Sequence, residues 1–120
     1  MSDYCPKIEF VLKMIENIEE VIKRHKKITF ALEDIEGQGA ILMFLMQIGE
    51  TLNKINQKNP KIIKKFNLEI ETKGSYNVRN FIAHDYEGVN LILVDTILRE
   101  NIPILKEKLL KICDKKEGIK

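Results

Sequence analysis

Residues 79 to 86 read Arg-Asn-Phe-Ile-Ala-His-Asp-Tyr. The chain holds seventeen lysines but only three arginines and two histidines, so an arginine and a histidine five apart stand out. Arg79 carries a permanent charge on a planar fork that suits two phosphate oxygens at once. His84 is of the side-chain type whose ordinary pKa lies near neutrality, which suits it to proton transfer. On a helix with Arg79 at zero, Asn80 falls near 100° and His84 near 140°, at about 100° per residue. Val78, Phe81 and Ile82 fall between about 200° and 300° and form the expected core face. Arg79, Asn80, His84 and Tyr86 are therefore expected to project away from the core, around the small Ala83. The same spacing also fits ordinary surface residues or a structural hydrogen-bonding pair.

The elements that must position this segment read as helices. Ser2 or Asp3 can cap a first helix with Pro6 in its opening turn, and Ile8, Val11, Leu12, Ile15, Ile18 and Ile22 give it an apolar stripe to about Lys23. Arg24-His25-Lys26-Lys27 reads as a basic loop in which His25 is solvated. Thr29 can cap a second helix, broken near Gly37-Gln38-Gly39, where two glycines in three residues cost roughly 2 kcal/mol of helix propensity. Ala40 to about Ile55 is helical and apolar on more than one side through Met43 and Met46, which fits a bundle centre or a subunit interface. Asn59-Pro60 restarts the chain into a short basic helix. Residues 67 to 74 show no clean period and read as loop, with the motif helix running from about Ser75 to Asp85. Asn90 opens the last helical region, in which Pro103 predicts a break near Asn101 and a fresh helix to Cys113.

At 120 residues and 14.0 kDa the chain is long enough for one domain, residues 1–120, with a charged tail from about residue 115. No period-two alternation, repeat or membrane-length apolar run is present. The fold class is all-α, a four- to five-helix bundle. A net charge of +2 neither demands nor excludes nucleic acid. Nineteen isoleucines among many Lys and Glu match the composition of heat-adapted proteins. Cys5 and Cys113, near opposite ends and without CxxC spacing, read as ordinary thiols and give neither a zinc cluster nor a disulfide framework. The first residues lack an export pattern, so a cytoplasmic protein is expected.

The spacing RNxxxHxY, together with Ile48-Gly49-Glu50 on the preceding long helix, resembles the HepT-like branch of the HEPN superfamily. Pro60 and Pro103 also fall where that family places prolines, and the resemblance covers roughly residues 6 to 113. It implies a dimeric, metal-independent endoribonuclease toxin without cofactor or metal, in which the motifs of two protomers share a cleft. Arg79 and His84 would be the catalytic residues, with Asn80, Asp85 and Glu50 in support. His84 from each chain would act as base for the ribose 2′-OH and as acid for the leaving 5′-oxygen. The resemblance further implies a cognate MntA-like minimal nucleotidyltransferase antitoxin that adenylylates Tyr86. Lys61, Lys64 and Lys65 are candidates for an RNA path, although a solvated basic helix explains them as well. An alternative of a different class is a non-catalytic HEPN subunit that binds a minimal nucleotidyltransferase and cuts nothing.

Overall fold

In a computed structural model that describes residues 4–113, the chain folds as helices throughout. In order they are α1 (Cys5–His25), α2 (Ile28–Glu33), α3 (Ile35–Lys58), α4 (Pro60–Lys65), α5 (Glu69–His84), α6 (Leu91–Thr96) and α7 (Ile102–Cys113), with a π-helical turn at Ile97–Asn101 joining the last two. Four long rods, namely α1, α3, α5 and the continuous α6–π–α7 unit, make the bundle. The core lies around α3, whose Ile41, Leu42, Leu45, Ile48, Leu52 and Ile55 are buried. From α1, Ile8, Val11, Ile15 and Ile18 pack into it at steps of three and four. Leu105 and Leu109 of α7 complete it. Among the described residues no helix is long and apolar enough to cross a membrane.

Several boundaries differ from the sequence expectation. α1 continues through Arg24 and His25 and ends where Lys26 turns left-handed, with φ 76°. The expected caps Ser2 and Asp3 lie outside the described residues, as does the charged tail. The chain breaks at Asp34, not at the glycines, because the Asp34 carboxylate caps α3 by accepting from the Gly37 N–H at 2.9 Å. α2 begins one residue before Thr29 and takes no side-chain cap. α5 starts at Glu69, and the expected loop shrinks to the turn at Phe66–Asn67, where Asn67 has φ 55°. Pro103 does not interrupt its rod. With no N–H to offer, it sits just after a wide turn in which the Ile102 N–H bonds the Ile97 carbonyl, so the helix swells without breaking.

The cysteines are a further correction. Cys5 and Cys113 form a disulfide that ties the first turn of α1 to the last turn of α7. Sequence separation hid the pair, because the antiparallel packing of α1 on α7 brings the start of one helix to the end of the other.

Candidate active site

The motif helix α5 packs on α3 along a seam of Leu68, Thr72, Ser75, Arg79 and Ile82, a strict four-three-four-three spacing. Leu68, Thr72 and Ile82 are buried. The expected core face is thus rotated. Ile82 is buried, whereas Val78 and Phe81 are half-buried and border an apolar trough of about 500 Å³ between α5 and the α6–α7 rod. Arg79 does not point away from the core as expected; its stem lies in the seam. The reason is Gly49. A Cβ on Gly49 would stand 2.4 Å from the Ser75 carbonyl oxygen and 2.7 Å from the Arg79 Cβ, so only glycine lets the two helices close there.

Each residue of Ile48-Gly49-Glu50 therefore has its own task. Ile48 is buried in the core, Gly49 admits α5, and Glu50 reaches the arginine it admits. A Glu50 carboxylate oxygen lies 2.5 Å from Arg79 Nη2. Arg79 Nη1 donates to Asn80 Oδ1 at 2.9 Å, and the guanidinium sits 5.8 Å from the centre of the Tyr76 ring. Arg79 Nε is buried without a hydrogen-bond partner. The guanidinium is thus gripped by a carboxylate, an amide and an aromatic ring, with its orientation set before any ligand arrives. The Asn80 side chain orients Arg79 and makes no hydrogen bond to the His84 ring. Tyr76 went unnoticed in the sequence, although its position three residues before Arg79 places both on one helix flank.

His84, the last residue of α5, is exposed, and its ring is hydrogen-bonded to no described residue. Five residues separate it from Arg79, about 7.5 Å along the axis and about 140° around it, so one helix does not bring both onto one small group. Ala83 between them is exposed. Asp85 does not reach back to His84; its carboxylate accepts from the Gly88 N–H at 3.1 Å and closes the turn that ends the helix. Tyr86 is 44% exposed, with its hydroxyl 3.5 Å from the Gly39 carbonyl oxygen, at the outer limit of a hydrogen bond. It lies beside the opening turns of α3 and keeps its phenol accessible. Lys61, Lys64 and Lys65 are exposed on α4, at the far end of α5 from His84. Glu69 alone precedes Arg79 by ten residues, or about 15 Å of helix, so these lysines are not part of the cluster.

The model of the family described as "Ribonuclease HepT-like" matches residues 11–112. The chain belongs to the HepT-like ribonuclease family. No curated protein and no solved structure matches it. For a HepT-like chain the arrangement is chemically legible: a fixed cation that can hold phosphate oxygens, and an unengaged imidazole one and a half turns further along. The second histidine is placed quite differently. His25, expected to be solvated, bonds the Val21 carbonyl through Nδ1 at 2.8 Å and meets an Asp34 carboxylate oxygen through Nε2 at 3.2 Å. The Val21 bond first, and Asp34 second, raise its pKa above the ordinary 6.5. The Gly37 N–H and then His25 lower that of Asp34 below 3.8.

Proposed function

We propose that this HepT-like chain is a metal-independent endoribonuclease toxin that works in the cytoplasm as a homodimer. The observation that carries the reading is the contrast within α5: Arg79 is held by Glu50, Asn80 and Tyr76, while the His84 side chain is exposed and engaged by no described residue. A two-fold axis beside Ala83 would bring the Arg79/His84 pair of each protomer to one composite site. One His84 then removes the 2′-OH proton, the partner's His84 protonates the leaving 5′-oxygen, and Arg79 neutralises the charge that develops on the phosphorane. General acid–base help of this kind is worth roughly 10²–10⁴-fold. Lys61, Lys64 and Lys65 would meet only RNA that extends well beyond the scissile phosphate.

Tyr86 is the proposed point of control. A cognate nucleotidyltransferase antitoxin would transfer AMP from a nucleoside triphosphate to its phenolic oxygen, releasing pyrophosphate. The added phosphate and base would occupy the approach to an anion-binding site and repel RNA. Support for this comes from the exposed phenol two residues beyond His84. Co-expression with the partner enzyme followed by intact-mass analysis tests it: AMP additions should disappear in Tyr86→Phe.

The ion pair that neutralises Arg79 in the unliganded chain also fits a non-catalytic binding subunit. Purified protein incubated with single-stranded RNA in EDTA separates the two readings. Cleavage supports the nuclease, whereas intact RNA at micromolar protein supports the binding subunit.

A further inference from the structure

The Cys5–Cys113 bond spans 108 positions in sequence and joins two helix ends whose Cα atoms are 5.9 Å apart. Its two sulfurs sit in different surroundings. Cys5 is the first residue of the 21-residue α1 and is half-buried, so an external thiol can reach its sulfur. Cys113 is the last residue of α7 and is 7% exposed within the core cluster, out of reach of an external thiol. Beyond this bond, α7 is held by the burial of Leu105 and Leu109 and by three lysine contacts. Lys106 pairs with Glu19 of α1 at 2.9 Å, and Lys108 bonds Glu71 at 2.8 Å and the Asn67 carbonyl at 2.9 Å.

We propose that Cys5 and Cys113 form a reversible redox staple that closes α7 onto α1, with Cys5 as the reactive sulfur. An external thiolate attacks Cys5 Sγ, forming a mixed disulfide on Cys5. The S–S bond breaks and its electron pair leaves on Cys113 Sγ, which takes a proton. A second thiol then displaces Cys5, so that two small-molecule thiols become one disulfide as the protein disulfide becomes two thiols. Reoxidation runs in reverse, with the Cys5 thiolate attacking an oxidised low-molecular-weight disulfide and Cys113 resolving the adduct. The reduced chain keeps its fold, because a buried Cys113 thiol packs as a small apolar group. What it loses is the tie across a loop of about a hundred residues, which constrains the unfolded chain strongly. Intracellular disulfides of this kind are rare outside heat-adapted organisms, and the Ile-, Lys- and Glu-rich composition matches that setting.

The test uses the full chain equilibrated in glutathione buffers of graded redox poise, quenched with an alkylating agent and read by intact mass and peptide mapping. The oxidised chain should resist alkylation, and the reduced chain should take two labels. At intermediate poise the glutathione adduct should map to Cys5. Reduction should lower Tm by on the order of 10 °C or more. A Cys113→Ser chain should fold with a Tm near that of the reduced parent and show no shift on adding reductant. Alkylation of both cysteines at oxidising poise, an adduct confined to Cys113, or an unchanged Tm on reduction would each overturn the proposal.

Discussion

Two stations along α3 are built alike and used differently. Near its start, Gly37 admits the Ala31 carbonyl, which a Cβ would meet at 2.4 Å, and the neighbouring Asp34 holds His25. In its middle, Gly49 admits the Ser75 carbonyl, again at 2.4 Å, and the neighbouring Glu50 holds Arg79. Both sites thus combine a glycine, a close backbone and a carboxylate gripping a basic side chain. They part at the histidine. His25 has both ring nitrogens engaged and joins α1 to α3, whereas His84 has neither engaged by a described residue and stands at the end of α5. An imidazole with both nitrogens tied to the protein's own groups is suited to a latch, and an exposed one is suited to the proton transfer proposed for His84.

The sharpest way to break this comparison is at the glycines. Gly49→Ala and Gly37→Ala each press a methyl group into a backbone carbonyl and should cost about 2 kcal/mol or more, read as a fall in the denaturation midpoint. Only Gly49→Ala should also impair RNA cleavage, because it separates Glu50 from Arg79. Next comes the arginine itself. Since its stem lies in the α3–α5 seam, Arg79→Ala should destabilise the fold by about 1–3 kcal/mol as well as abolish cleavage, leaving Glu50 without its partner. Arg79→Lys should recover most of that stability while cleavage stays at least ~10-fold down, because an ammonium cannot replace the fork.

The smallest effect is that of pH on the latch. The raised His25 pKa means its bonds favour folding fully below 6.5, with that contribution lost as pH rises through the folded-state value. The lowered Asp34 pKa makes its contribution present above 3.8 and lost as pH falls through the folded-state value. Both act together between those limits. The stability gap between the parent and His25→Gln should therefore be wider at pH 5.5 than at pH 8 in urea unfolding; a gap that does not change with pH would refute the latch.

Most of the bundle was legible because its apolar residues repeat at helical spacing, as in Ile8 to Ile18 and Ile41 to Ile55. The α5 seam was not, because Thr72, Ser75 and Arg79 are polar and Gly49, which makes the closure possible, lies on another helix. That is why residue spacing alone points to Val78 and Phe81 as the buried face and to a loop at residues 67 to 74. Arg79, Asn80, His84 and the Ile-Gly-Glu segment could be picked out by residue type and spacing. Of their partnerships, that of Glu50 with Arg79 depends on packing between α3 and α5, whereas Tyr76 on Arg79 and Asp85 on its own turn are local contacts. The Cys5–Cys113 pair and the His25–Asp34 contact are invisible for the same reason, since both join residues of different helices.

Cleavage of a fluorescent single-stranded RNA in EDTA by His84→Ala and His25→Ala, measured side by side with the parent, tests the central distinction most directly. Loss of His84 should slow cleavage at least ~100-fold with an unchanged Tm, while loss of His25 should lower Tm and leave the rate within about threefold at a temperature where the chain is folded. A His84→Ala chain that cuts at the parental rate, or a folded His25→Ala chain that does not cut, would contradict the assignment.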